Sequence, residues 1–391
     1  MKLIIMLILS IQLFAMSFKN YEMVEIVTGS ESSIVENNKE TKYGTSFLIN
    51  SYNDIIFNKH FTLNSTLNFT KFPTIYSRTY NSIVLKKQFF ELSELVLNYH
   101  ITSNNILSAG LFSFKYGAFS EFTRIGVAQT DSLSTLYYLN LTGLFYTNYY
   151  NGFKTQIGYG LRNKKFKLPE DRYDSAKTGS DIIFLFLSKK INKSSFKLNF
   201  GSSKITTEKM TLPFQQNTHK LVNIGRLNIG GLGYEYDDRE DTGNLYYGIL
   251  GISETHFNGV KASPINQPLK LPGVFLSNEG KKTGYSLLLG YKKQFDTQLF
   301  NKDLYSGIEY FHASKYWMSY TSDKYNVGYY SWGNLGDSYK FYTGVELNPK
   351  SKIGIYIQHE HFQYRKLKGG NSVEKIDDYD RRIYLRLDFL F

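Results

Sequence analysis

Apolar and polar residues take turns along this chain in segments of about ten positions, the length a tilted strand needs to cross a bilayer. Phe61, Leu63, Ser65, Leu67 and Phe69 interleave with Thr62, Asn64, Thr66, Asn68 and Thr70. Phe153, Thr155, Ile157, Tyr159 and Leu161 interleave with Lys154, Gln156, Gly158, Gly160 and Arg162. Tyr285, Leu287, Leu289 and Tyr291 oppose Ser286, Gly290 and Lys292, and Ile383 to Phe391 repeats the pattern around Arg382, Tyr384, Arg386 and Asp388. A period of two places alternate side chains on opposite faces of a strand. A half-buried soluble sheet would give the same alternation. What favours a membrane is its repetition along the whole chain, with no helical segment to cover a second face.

The pattern predicts sixteen strands, at 20–28, 43–52, 60–70, 91–100, 105–114, 134–147, 152–162, 181–189, 195–203, 227–236, 244–253, 283–293, 304–313, 338–347, 352–363 and 381–391. The links at 101–104, 148–151, 190–194, 237–243 and 348–351 are tight and rich in Asn, Asp, Gly, Lys and Ser. Those at 71–90, 115–133, 163–180, 204–226, 254–282, 314–337 and 364–380 are long. Long and short connections on alternate ends, with an even strand count, are the layout of a bacterial outer-membrane barrel. The expected class is all-β: a transmembrane antiparallel up-and-down β-barrel of about 16 strands, with 14 or 18 if one hairpin is lost or gained.

The N-terminus fits export. Met1-Lys2, an apolar run from Leu3 to Phe14 and Ala15-Met16-Ser17 form the three parts of a secretory signal. Residues 1–17 are read as a signal peptide cut after Ser17, with a cut after Ala15 as the alternative, leaving one barrel domain over 18–391 in a Gram-negative outer membrane. With no Cys among 391 residues, disulfides, thiolate metal sites and a lipoprotein anchor are excluded. Aromatic residues make up 17 %, with 33 Tyr and 30 Phe against 2 Trp. A mean hydropathy of -0.33 looks soluble, yet a barrel strand places only every second residue in lipid.

Gly307–Tyr320 (GIEYFHASKYWMSY), Gly336–Tyr342 (GDSYKFY) and the run from Leu95 to His100 through Leu107 to Phe112 resemble an uncharacterised family of porin-like outer-membrane proteins from epsilonproteobacteria. The resemblance implies a large barrel with pore function and carries no catalytic residue. Phe389 and the terminal Phe391 resemble the strand signal that the barrel-assembly machinery reads in porins.

Several constellations imitate other chemistry. In His359-Glu360-His361, alternation puts both His on one face and Glu360 on the other, which favours interfacial residues over a metal site. The glycines at 225, 230, 231 and 233 lack the strand–loop–helix context of a phosphate loop. The sequons at Asn64, Asn68 and Asn140 fall inside strands. Seven scattered His identify no catalytic pair, so the chain reads as a non-enzyme without cofactor or metal.

Net charge is +12, which in a soluble protein would suggest nucleic acid; the export signal and barrel pattern argue against that partner. Lys154, Arg162, Lys197, Lys292, Lys340, Lys352, Arg382 and Arg386 fall in the lumen phase, against Glu235, Glu309, Glu346, Glu360 and Asp388. Eight cations against five anions give at most a mild anion preference. The competing reading pairs these charges with one another and leaves basic loops to bind lipopolysaccharide. Sixteen strands enclose an aqueous channel. Loop 115–133, with Glu121, Arg124 and Asp131, is the candidate constriction by analogy with general porins, and 254–282 with its three prolines is a second. The expected function is passive diffusion of small hydrophilic solutes, with association into a homo-oligomer left open. An adhesin using the long loops is the alternative. A transporter of hydrophobic compounds would need an N-terminal plug, for which 18–42 is too short.

Overall fold

A computed structural model describes residues 17–35, 38–71, 88–116, 137–162, 177–207, 222–257, 280–299, 302–317, 334–348, 351–366 and 373–390. Among them are sixteen strands: β1 (Ser17–Val35), β2 (Asn38–Ile56), β3 (Phe61–Lys71), β4 (Gln88–Thr102), β5 (Asn105–Tyr116), β6 (Tyr137–Tyr150), β7 (Phe153–Arg162) and β8 (Lys177–Ile191). They continue with β9 (Ser194–Thr207), β10 (Val222–Asp238), β11 (Asn244–Phe257), β12 (Gly280–Leu299), β13 (Lys302–Ala313), β14 (Asn334–Asn348), β15 (Ser351–Lys366) and β16 (Val373–Leu390). One helical turn, α1 (Arg239–Thr242), links β10 to β11. Every strand pairs antiparallel with its chain neighbours, and β1 closes on β16 from Met23↔Leu390 to Ile34↔Tyr379. The expected architecture and strand number are therefore observed. The expected signal segment lies outside the described residues up to residue 16, and Ser17 opens β1 opposite Ile56.

Strands run further than the apolar pattern. Residues 29–35 and 38–42, too polar to read as strand, extend the β1–β2 ladder through Ser30↔Tyr43, Glu31↔Lys42 and Ser33↔Glu40. β16 likewise begins at Val373, eight residues before its apolar half. Beyond the lipid a strand needs backbone pairing but no apolar face, and cross-strand pairs such as the Ser32–Thr41 hydroxyls at 2.9 Å stabilise it there.

Tight turns gather at the end of the barrel where β1 begins and β16 ends. Asn151 and Gly152 take φ of 47° and 75°, the left-handed pair that a two-residue hairpin requires. The next two turns at this end are tied together. Lys193 donates to Asp238 and to Asp241, and these two carboxylates hold its ammonium well above the usual lysine range. Gln294 N–H in turn donates to Gly243 O at 2.7 Å, tying α1's turn to β12.

Outward positions are the apolar ones of the pattern: Leu144, Ile183 and Ile383 are each more than half exposed, whereas Leu141 and Ile182 on the inner face have no exposure. Inside, glycines make room for tyrosines. A Cβ at Gly290 would overlap the Tyr247 ring, and one at Gly307 would overlap Tyr342. Replacing Gly307 with Leu should therefore destabilise the folded barrel by about 1–3 kcal/mol, because neither ring nor strand can retreat. Urea unfolding of the detergent-folded barrel, read by tryptophan fluorescence, checks this; an unchanged midpoint would show that the ring moves freely.

Candidate functional site: the inner wall of the barrel

Three surfaces make up the inner wall. The first lies on β12–β16, towards the end with the tight turns. Tyr342, Tyr356 and Tyr384 face one another in register and stack, with ring centroids 5.8 and 5.1 Å apart. Tyr305 joins them through a hydroxyl contact of 3.2 Å to Tyr356. Charges around this stack are buried in pairs. Lys292 Nζ lies 2.6 Å from Glu346 Oε1 and above the Tyr305 ring. Lys340 faces Glu309 at 3.4 Å, and Tyr247 donates to the same carboxylate at 2.9 Å. Arg382 faces Glu360 at 3.3 Å, Gln358 donates to Glu360 at 2.7 Å, and Arg386 Nε donates to Asp388 at 3.0 Å. Desolvated charges are tolerable here because each carboxylate has a cation, and Glu309 and Glu360 each have a further donor.

The second surface is apolar. Phe112, Leu141, Ile182, Phe184, Leu227, Ile229, Ile249 and Leu288 form one buried cluster on the inner face, continued by Phe311, Trp317 and Leu335. The third is polar and half-open. It lies on β2–β10, towards the tight-turn end. Asn64 donates to Asp54 at 2.5 Å, Ser108 donates to Asn98 at 2.7 Å, and Thr66 donates to Glu94 at 3.0 Å. His100, Lys154, Gln156, Lys197 and Glu235 continue it and are part-exposed.

The candidate residues separate accordingly. Lys154 and Lys197 lie on the half-open wall. Lys340, Arg382 and Arg386 face inward as expected, but each is buried against a carboxylate. Lys292 behaves likewise, and Lys352 is buried opposite Asp388. Arg162 ends β7 opposite the inward Leu141, and its side chain lies outside the described residues. Glu121, Arg124 and Asp131 lie outside them too, as does Phe391, whereas Phe389 pairs with Val24 at the barrel seam. Loops 115–133 and 254–282 contribute to the described residues only their strand-forming ends.

Asp54 and Glu94 are inward carboxylates absent from the sequence tally: Asp54 lies beyond the expected strand end at residue 52, and the tally did not extend to Glu94. Tyr384 stands visibly between Ile383 and Leu385, yet nothing local announces a stack that three other strands complete. His359 and His361 stack on Tyr379 on the outer face while Glu360 points inward, as alternation requires. The glycines at 225, 230, 231 and 233 lie in β10, and the three sequons lie in β3 and β6.

A closed antiparallel barrel with apolar side chains outside and polar and paired charged ones inside is a transmembrane barrel of the outer-membrane type. A family model described as a protein of unknown function (DUF3373) matches residues 184–374, from β8 into the start of β16. That span includes both Gly307–Tyr320 and Gly336–Tyr342. No curated protein matches the chain. Among solved structures, an anion-selective porin from Comamonas acidovorans aligns with a TM-score of 0.55 and 10% identity, over 95% of this chain and 99% of that one. OprB from Pseudomonas putida aligns with a TM-score of 0.52 and 11% identity, over 97% and 96%. A loop-deletion mutant of OmpT, an outer membrane protein of Vibrio cholerae, gives 0.50 and 13%, over 95% and 99%. At these identities the likeness is one of fold.

Because Glu360 is fully buried, Glu360→Ala should leave Arg382 without its counter-charge and cost about 3–5 kcal/mol, whereas a solvated wall charge would cost about 0–1 kcal/mol. Equilibrium unfolding of the two kinds of variant in one detergent compares them directly. Equal costs at Glu360 and Lys154 would contradict the division into sealed and open wall.

Proposed function

We propose that this protein is a porin-like channel for passive diffusion of small hydrophilic solutes. The observation that carries the reading is the half-open polar wall on β2–β10 inside a closed sixteen-strand barrel. A barrel of this strand number is too wide for its own wall side chains to fill. The solute path follows that wall, past Asp54, Asn64, Asn98, Lys154, Gln156 and Lys197. The opposite wall is sealed by the tyrosine stack and its ion pairs, which makes it scaffold.

Charge selectivity is weak in this reading. Four of the eight lumen-phase cations are buried and paired with carboxylates, so the eight-to-five excess does not face solute. Any anion preference rests on Lys154 and Lys197, opposed by Asp54, Glu94 and Glu235. Similarity to an anion-selective porin is compatible with this. Export by a cleaved segment 1–17 and recognition of Phe389 and Phe391 by the assembly machinery complete the proposal.

Planar-bilayer recordings of the purified barrel should show ohmic channels. Lys154→Glu combined with Lys197→Glu should shift the reversal potential in a salt gradient towards cations, because these charges act within about 8–10 Å at physiological salt. Absence of conductance in the unaltered barrel would reject the channel. A well-folded double variant with unchanged selectivity would reject the path.

Phe389→Asp should lower the yield of membrane-inserted barrel while export stays intact, since it puts charge into the lipid-facing seam. Heat-modifiable migration of outer-membrane fractions reports the yield, and a normal yield would remove the terminal-signal role.

A further inference from the structure

Four adjacent strands carry basic residues directly opposite one another on the outer face of the barrel. Lys204 on β9 pairs in register with Arg226 on β10, Arg226 with His256 on β11, and His256 with Lys281 on β12. All four side chains are exposed. They lie at the end of each strand that leads into a long connection, which is the outside end of the barrel. Two residues towards the membrane lies a polar row, Ser202, Asn228, Glu254 and Thr283. Two further on lies an apolar row, Phe200, Gly230, Ile252 and Tyr285, in which the three side chains are strongly exposed. Apolar, polar and basic layers therefore follow the order met on passing from acyl chains to headgroups in an outer leaflet.

Like charges directly across neighbouring strands repel, so such a row is unfavourable in isolation. Carboxylates temper its two ends: Asp181 lies 3.8 Å from Lys204, and Glu254 lies 2.5 Å from Lys281. Its centre has no such partner among the described residues. Neither the Arg226 nor the His256 side chain forms a hydrogen bond or ion pair with a described residue. On the outer face of β13–β16, the ends that lead into long connections carry carboxylates as well: Asp337 takes donors from Tyr310 and His312, and Asp377 from His361. Among the described residues, four basic side chains in one register row occur on β9–β12.

The geometry points to the row formed by Lys204, Arg226, His256 and Lys281 as a docking site for the phosphorylated headgroup of an acidic outer-leaflet glycolipid. Charge complementarity selects the phosphate, since a guanidinium presents paired donors matched to its oxygens. The apolar row below selects a lipid over a soluble anion, because acyl chains can lie on Phe200, Ile252 and Tyr285. Four strands about 4.8 Å apart make the row about 14 Å wide, room for more than one phosphate. Arg226 is the anchor, and Lys204 and Lys281 flank it. The site rests on the membrane placement of the barrel and not on conduction, so a conducting channel without lipid preference would reject this site alone.

The test uses the mature chain folded in uncharged detergent. Native mass spectrometry compares retention of bis-phosphorylated lipid A with that of the same lipid stripped of its phosphates. Phosphorylated lipid should be retained about tenfold more tightly, as one or two charge-assisted bonds imply. Arg226→Gln with His256→Gln should abolish most of that difference. Lys189→Gln, at the opposite rim where Lys189 lies over the Phe153 ring, should preserve it. Lys204→Gln with Lys281→Gln provides a second variant and should weaken retention to an intermediate degree. Equal retention of the two lipids, or an unchanged preference in either folded double variant, would overturn the proposal. So would full displacement of the lipid by millimolar inorganic phosphate, which would make the row a simple anion site.

Discussion

The hydrogen-bonded seam between β1 and β16 is the constraint on which everything else depends. In hydrocarbon no water can satisfy a free N–H or C=O, so a sheet crosses a bilayer only when it has no edge. Closure supplies partners to both terminal strands, from Met23↔Leu390 to Ile34↔Tyr379. It also explains why polar stretches such as 29–35 and 373–382 are strand: the ladder that must close within lipid continues outside it at little cost.

Closure creates an inner face that must be either packed or wetted, and this barrel does both. On β12–β16 large side chains and paired charges seal the wall. Tyr305, Tyr342, Tyr356 and Tyr384 supply area, and Gly307, Gly344 and Gly354 supply the space their rings and hydroxyls occupy. Such pairing makes Lys340, Arg382 and Arg386 structural charges whose field is cancelled nearby. The polar wall of β2–β10 carries shorter side chains, Asn64, Thr66, Asn98 and Ser108, joined in hydrogen bonds that leave room for solvent. Adjacent on the inner face, the apolar cluster around Leu227 and Ile229 narrows what a solute finds wettable to one side of the lumen.

Strand faces were legible wherever one face is apolar and the other polar, as in 153–162 and 283–293. They blur where both faces are apolar. In β8 the run Ile182-Ile183-Phe184-Leu185 alternates between buried and lipid-facing positions, although every residue is apolar. Strand ends were legible only within the lipid belt, because outside it hydrogen bonding alone defines the strand. Inward charge was legible residue by residue, from Lys154 to Arg386. Its consequence was not, because Lys292 meets Glu346 across an intervening strand.

From the sequence alone followed the period of two, the even number of crossings, the alternation of short and long connections and, where one face is polar, the side of the wall to which a residue belongs. These are local properties, set by the pleat and by turn chemistry within a few residues. Tertiary structure decided which side chains meet. Register between strands places Arg382 against Glu360, completes the tyrosine stack from four strands, and lines up Lys204, Arg226, His256 and Lys281 in one row. A slide of two residues in any one ladder would keep every alternation and every face while changing all of those partners. That is why paired and unpaired charge, and with it what the barrel binds or passes, is a property of the closed sheet.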